Sequence, residues 1–107
     1  MHGTTLHAIL AELRGRFEAL YGVRLVQLVL YGSQARGDAH PDSDIDVLVV
    51  LQGPVQSGEE IIRTGGIVAD LSLRYGVVLA CTFMDQEQFM DGQGPLLRNV
   101  RRAGIAV

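Results

Sequence analysis

The fold is decided by residues 28–50, which read Leu-Val-Leu-Tyr-Gly-Ser-Gln-Ala-Arg-Gly-Asp-Ala-His-Pro-Asp-Ser-Asp-Ile-Asp-Val-Leu-Val-Val. An apolar run ends at Gly32-Ser33, a polar loop follows, and Asp44-Ile45-Asp46 opens a second apolar run. This order predicts a strand, a turn, a loop and a second strand. Because side chains alternate along a strand, Asp44 and Asp46 are expected to lie side by side on one face.

Two adjacent carboxylates indicate a metal site, because like charges a few ångströms apart repel unless a cation lies between them. Oxygen ligands of this kind suit Mg²⁺ or Mn²⁺, which complete their coordination with water and substrate phosphates. Gly32 lets backbone N–H groups approach a phosphate, and the Ser33 hydroxyl adds a hydrogen-bond donor. The stretch therefore predicts phosphoryl or nucleotidyl transfer.

The spacing of these residues resembles a known signature. Gly32-Ser33, ten intervening residues and Asp44-x-Asp46, with Arg36-Gly37 in the loop and Ser43 before the first aspartate, are similar to the minimal nucleotidyltransferases of the DNA polymerase beta superfamily. Among these, short chains of this kind resemble the MNT partners of HEPN-domain proteins.

The resemblance implies both a fold and a set of site residues. The expected fold is a small α/β nucleotidyltransferase domain, with a mixed sheet of three or four strands and helices packed against it. Asp44 and Asp46 are the implied catalytic residues and metal ligands. The implied nucleotide-binding residues are Gly32, Ser33, Arg36 and Ser43. For Arg36 a salt bridge to a loop aspartate remains the alternative to a phosphate contact.

Composition sets the broad class of protein. The chain has 107 residues and a net charge of −3, so we expect one domain spanning 1–107 without general affinity for nucleic acid. No apolar run approaches the roughly 20 residues of a membrane span, which predicts a cytoplasmic protein. Cys81 is the only cysteine and lies in an apolar run, so a buried, unreactive thiol is expected.

The rest of the chain predicts alternating helices and strands. A helix over 57–75 is expected to begin with Ser57 as its N-cap and Glu60 in a capping box. The other predicted elements are helices over 6–21 and 95–102, strands over 23–31, 44–51 and 77–84, and an edge strand over 105–107.

A third carboxylate is expected from the resemblance, on the strand that follows the long helix. The predicted strand over 77–84 carries no acidic residue, and Asp85, just beyond it, is the candidate substitute. Two-metal catalysis needs ligands for both the attacking and the leaving oxygen, so a missing carboxylate weakens the case for turnover more than the case for binding.

Two functions therefore remain open at this point. The first is a magnesium-dependent nucleotidyltransferase that moves a nucleoside monophosphate from an NTP, with ATP expected, to a hydroxyl acceptor. The resemblance makes a HEPN-type helical protein the leading partner, in a toxin–antitoxin pair. The second is a catalytically weak nucleotide-binding antitoxin module that acts by binding such a partner. The sequence also leaves homo-oligomerisation open.

Overall fold

A computed structural model describes residues 3–37 and 44–107. In the first part, helix α1 (Gly3–Tyr21) leads through a 3-10 turn (Gly22–Arg24) into strand β1 (Leu25–Tyr31) and the single-turn helix α2 (Ser33–Arg36). In the second part, the elements are β2 (Ile45–Leu51), α3 (Ser57–Tyr75), β3 (Leu79–Asp85), α4 (Gln86–Asp91), α5 (Pro95–Ala103) and β4 (Ile105–Ala106).

The strands form one four-stranded mixed sheet in the order β3-β2-β1-β4. Strand β1 pairs antiparallel with both β2 and β4, whereas β3 lies parallel to β2. The parallel pair is joined by α3, as a crossover connection requires. This arrangement confirms the predicted mixed α/β sheet.

The central strand β2 has both faces covered, as its almost continuous apolar sequence predicts. On one face, α1 and α3 pack their apolar side chains against the sheet in the larger core. Its fully buried members include Ile9, Leu13, Phe17, Ile45, Val47, Val49 and Leu71. On the other face, α4 and α5 form a smaller core with Val29, Leu48, Val50, Met84, Leu97 and Val100.

The start of α3 differs from its predicted capping box. Ser57 is the first helical residue, and the N-cap position is Gln56, which makes no side-chain capping bond. Glu60 turns instead into the protein and is only 2% exposed. There its carboxylate accepts hydrogen bonds from Tyr21 Oη at 2.7 Å and Arg24 Nη1 at 3.3 Å, and it pairs with Arg63.

Two other features bear on the sequence predictions. Burial raises the pKa of Cys81 to about 12, although the residue as a whole is only partly buried, so its low reactivity stays a prediction. Among the helices of the described chain, none combines the length and the apolar character needed to cross a membrane.

Candidate functional site

The site begins where β1 ends and the chain turns sharply. Gly32 has φ 76° and ψ −156°, a conformation that L side chains rarely adopt, and it leads directly into α2. The turn of α2 is closed by hydrogen bonds from Arg36 N to Gly32 O at 3.1 Å and from Gly37 N to Ser33 O at 3.0 Å. Ser33 thus opens a helical turn whose first amides have no acceptor within the helix itself.

The Gly32 turn lies directly against Asp46. In the antiparallel register Tyr31 pairs with Asp46, so the residue after Tyr31 passes beside this carboxylate. A Cβ atom at Gly32 would lie 2.5 Å from Asp46 Oδ2, which is too close for any real contact. Only glycine therefore allows the backbone of the turn and the Asp46 carboxylate to approach this closely.

The two aspartates of the motif lie together at the start of β2. Asp44 is exposed just before the strand, and Ile45 between them is fully buried. Burial raises the pKa of Asp46, the Asp44 charge raises it further, and the Arg36 charge lowers it. Asp46 therefore lies within range of both the Asp44 and the Arg36 charges.

This donor set fits a magnesium ion bound with a nucleotide. The two carboxylates offer hard oxygen ligands, and Gly32 and the first turn of α2 lie directly beside Asp46. Within residues 3–37 and 44–107, no cluster of three or more His, Cys, Asp or Glu side chains is arranged to hold a metal. Ser43, the remaining predicted nucleotide-binding residue, lies outside the described residues.

Asp85 lies far from Asp46, so the prediction that it supplies a third carboxylate to the site is wrong. In the parallel register Ala80 pairs with Asp46, whereas Asp85 pairs with Leu51 at the other end of β2. Five residues of strand separate the two positions by about 16 Å. Asp85 serves instead as the N-cap of α4 and accepts a hydrogen bond from Gln88 N at 2.7 Å.

A hydroxyl pair that sequence reasoning missed lies on the same face of the sheet as Asp46. Tyr31 Oη and Thr82 Oγ1 are 3.2 Å apart, although β2 separates their strands. Thr82 lies two residues beyond Ala80, so its side chain points to the same face. The sequence signal for this contact is the alternation of side chains along β3, which places Thr82 on the face of Asp46 once the register between β2 and β3 is known.

Comparison with known proteins identifies the class of protein that this fold and site define. The family model of the nucleotidyltransferase domain matches residues 10–96, and the chain belongs to this family. "Putative protein adenylyltransferase MJ0604" of Methanocaldococcus jannaschii is 35% identical over 78 residues, which cover 73% of this chain and 72% of that protein.

Two solved structures share the fold. A structure described as a putative minimal nucleotidyltransferase is 28% identical, with a TM-score of 0.62 and coverage of 100% of this chain and 97% of that chain. A toxin–antitoxin structure with AMP-PNP is 18% identical, with a TM-score of 0.58 and coverage of 87% and 68%. The confirmed fold is therefore that of a minimal nucleotidyltransferase.

Proposed function

We propose that this protein transfers a nucleoside monophosphate, AMP in the first instance, from a magnesium-bound NTP to a hydroxyl group on a partner protein. The observation that carries the proposal is the packing of the Gly32 turn against Asp46, with Asp44 and Arg36 alongside. The name of the related Methanocaldococcus protein supports adenylyl transfer to protein. The toxin–antitoxin structure with AMP-PNP supports ATP as the nucleotide and a toxin as the partner. The proposal of a HEPN-type helical toxin rests on the sequence resemblance.

The roles of the residues follow from their positions. Asp44 and Asp46 would hold Mg²⁺, which when bound neutralises phosphate charge and orients the reacting oxygens. The backbone N–H groups that follow Gly32 would face a phosphate held by the metal, and Ser33 and Arg36 would offer donors to its oxygens. The acceptor oxygen forms a bond to the α-phosphorus while the bond to the leaving pyrophosphate breaks, and the acceptor proton is released to solvent or a carboxylate. Positioning and charge neutralisation supply most of the catalysis in such a transfer.

Binding of magnesium and ATP is tested first by calorimetric titration. Wild-type protein should bind ATP only with Mg²⁺ present, and Asp44→Asn/Asp46→Asn should lose this binding. Asp85→Asn is the matched control, because it also removes an acidic charge while Asn remains a good helix N-cap. Metal-independent binding by the wild type, or equal losses in both variants, would contradict the assigned site.

Transfer is tested with the partner present. Labelled ATP should modify a co-purified helical partner with the wild type and not with Asp44→Asn/Asp46→Asn. Failure of transfer by a wild type that binds Mg–ATP and the partner would reject catalysis and leave the assigned binding site intact.

A second function is favoured by one observation. The β3 position opposite Asp46 is Ala80, and among the described residues Asp44 and Asp46 are the only carboxylates assigned to the site. On this alternative, the protein binds Mg–ATP, transfers weakly or not at all, and neutralises a partner by covering it. Asp46→Ala would then leave both partner binding and neutralisation intact, whereas an adenylyltransferase antitoxin would lose neutralisation.

A further inference from the structure

Helix α3 exposes an apolar stripe on the side that faces away from the core. Ile62 and Leu73 are 82% and 83% exposed, and the exposed residues Gly66 and Ala69 lie between them. Their spacing of four, three and four residues places all of them along one line of the helix. The core-facing side of the helix already carries its own buried residues, such as Leu71, so the stripe is a second apolar surface.

The middle of this stripe is shallow and allows another backbone to approach closely. A Cβ atom added at Gly65 or Gly66 would meet nothing within 4 Å. Beside them, an apolar groove of about 340 Å³ separates α3 from the edge strand β3, with Ala69 and Cys81 in its lining. The stripe and the groove together form one continuous surface, called here the α3 face.

Charges along one flank of the α3 face have a self-complementary order. Glu59, Arg63, Asp70 and Arg74 alternate in sign, with spacings of four, seven and four residues. Arg63, Asp70 and Arg74 retain 49%, 42% and 48% side-chain exposure in spite of their pairs within the chain. Reversing the direction of the helix gives the same spacings with every sign inverted, so each charge meets its opposite in an antiparallel copy.

We propose that a second copy of this chain docks on the α3 face, with the two α3 helices antiparallel about a two-fold axis near Gly66 and Ala69. The axis places Ile62 opposite Leu73 of the second copy at both ends of the interface. The charges are centred one residue earlier than the stripe, so the same axis brings Glu59 to within about 3 Å, along the helix direction, of the level of Arg74 of the second copy. Arg63 and Asp70 of the second copy have the same offset, which long side chains can span. A two-fold interface of this kind uses the same patch on both subunits.

The size of the α3 face sets the expected strength of the dimer. The helix has 19 residues and is roughly 28 Å long, so the contact lies at the small end of specific interfaces, and we expect a weak dimer. Because α3 covers the face of the sheet opposite to the Asp46 side chain, the dimer leaves the nucleotidyltransferase site open. The inference therefore stands independently of the proposed function.

The first test adds a bulky side chain where the two α3 helices would be closest, at Gly66. Gly66→Leu adds a side chain into open space in the monomer and blocks close approach of a second helix. Gly15→Leu is the matched control, since Gly15 is also helical and exposed with nothing within 4 Å. Sedimentation equilibrium from micromolar to near-millimolar concentration should show a monomer–dimer equilibrium for the wild type and for Gly15→Leu, and a monomer throughout for Gly66→Leu. A monomeric wild type, or a Gly66→Leu variant that still forms the dimer, would overturn the proposal.

The second test inverts the charges. Arg63→Glu and Asp70→Arg each place like charges together in their own homodimer, so each should dimerise at least about tenfold more weakly than the wild type, equivalent to 1.4 kcal/mol. Mixing the two variants should restore association, because both cross-subunit pairs are then attractive. Circular dichroism verifies that each variant is folded. If either charge variant does not fold, the comparison of Gly66→Leu with Gly15→Leu tests the dimer instead. A mixture of folded variants that associates no better than its components would contradict the antiparallel register.

Discussion

At the scale of single residues, the candidate site depends on Gly32. The need for glycine at this position comes from Asp46 on the neighbouring strand as well as from the turn itself. Gly32 and Gly37 both have positive φ, 76° and 79°, but a Cβ atom would meet Asp46 at Gly32 and nothing within 4 Å at Gly37. The motif predicts that Gly32 approaches a phosphate, and the structure adds that it approaches Asp46 as well. The glycine therefore has two roles, one in the turn and one in the position of the carboxylate.

Substitution of these two glycines by alanine separates the roles. Gly37→Ala should destabilise the fold by about 1 kcal/mol, which is the cost of a left-handed conformation in an L residue. Gly32→Ala should cost more, because φ 76° with ψ −156° lies in a region that is essentially restricted to glycine. It should also weaken Mg–ATP binding by about tenfold or more, because its Cβ displaces the Asp46 carboxylate. Chemical denaturation and calorimetry measure the two effects. Equal losses of nucleotide affinity in both variants would show that Gly32 acts only through the turn.

The sequence predicts which motif residues lie together where they are close in the chain. Gly32, Asp44 and Asp46 come together because two short strands meet at one turn, and alternation along the strand is a local property. Asp85 was misplaced for the opposite reason. Its distance from Asp46 depends on the parallel register between β2 and β3, which is set across α3 by tertiary packing. The Tyr31–Thr82 contact was missed for the same reason.

At the scale of elements, Glu60 joins α3 to the end of α1 and to the turn that follows it. A capping box and a buried ion pair both place a glutamate near the start of a helix, and the sequence pattern does not distinguish them. The choice depends on Tyr21 and Arg24, which reach Glu60 only in the folded chain. Although burial of Glu60 acts to raise its pKa, hydrogen bonds from Tyr21 and Arg24 and the Arg63 charge together lower it.

This network predicts how stability depends on pH. Because the pKa of Glu60 is lowered in the folded state, its contribution is fully present above the unfolded value near 4.5 and is lost as the pH falls through the folded pKa. Glu60→Gln keeps the shape and removes the charge, so at neutral pH it should destabilise the protein by about 1–2 kcal/mol. The difference from the wild type should shrink below the unfolded pKa. Urea unfolding at several pH values measures it.

Glu59→Gln is the control for this change, since Glu59 is the exposed neighbour of Glu60 on the same helix. It should alter stability little at any of the pH values. A Glu60→Gln deficit that stays constant as the pH falls would show that packing, and not the charge, makes the contribution.

At the scale of the whole molecule, the larger core and the candidate site lie on opposite faces of the sheet. One face holds the larger core beneath α1 and α3, and the other carries Asp46, Tyr31 and Thr82 beside the smaller core beneath α4 and α5. The protein carries a net charge of −3, and its two site carboxylates also repel a triphosphate. Nucleotide binding should therefore require a cation to reverse the sign of the local charge.

Thermal unfolding tests this requirement on the intact protein. A ligand that binds only the folded state at about 100 times its dissociation constant stabilises it by about 2.7 kcal/mol, which corresponds to a rise in Tm of roughly 10 °C for a domain of this size. Mg–ATP should produce such a rise in the wild type, whereas ATP with a chelator should produce none. Asp44→Asn/Asp46→Asn should respond to neither mixture, because it lacks the oxygen ligands for the metal. An equal rise with and without Mg²⁺ would place nucleotide binding away from these carboxylates and remove the electrostatic argument for the site.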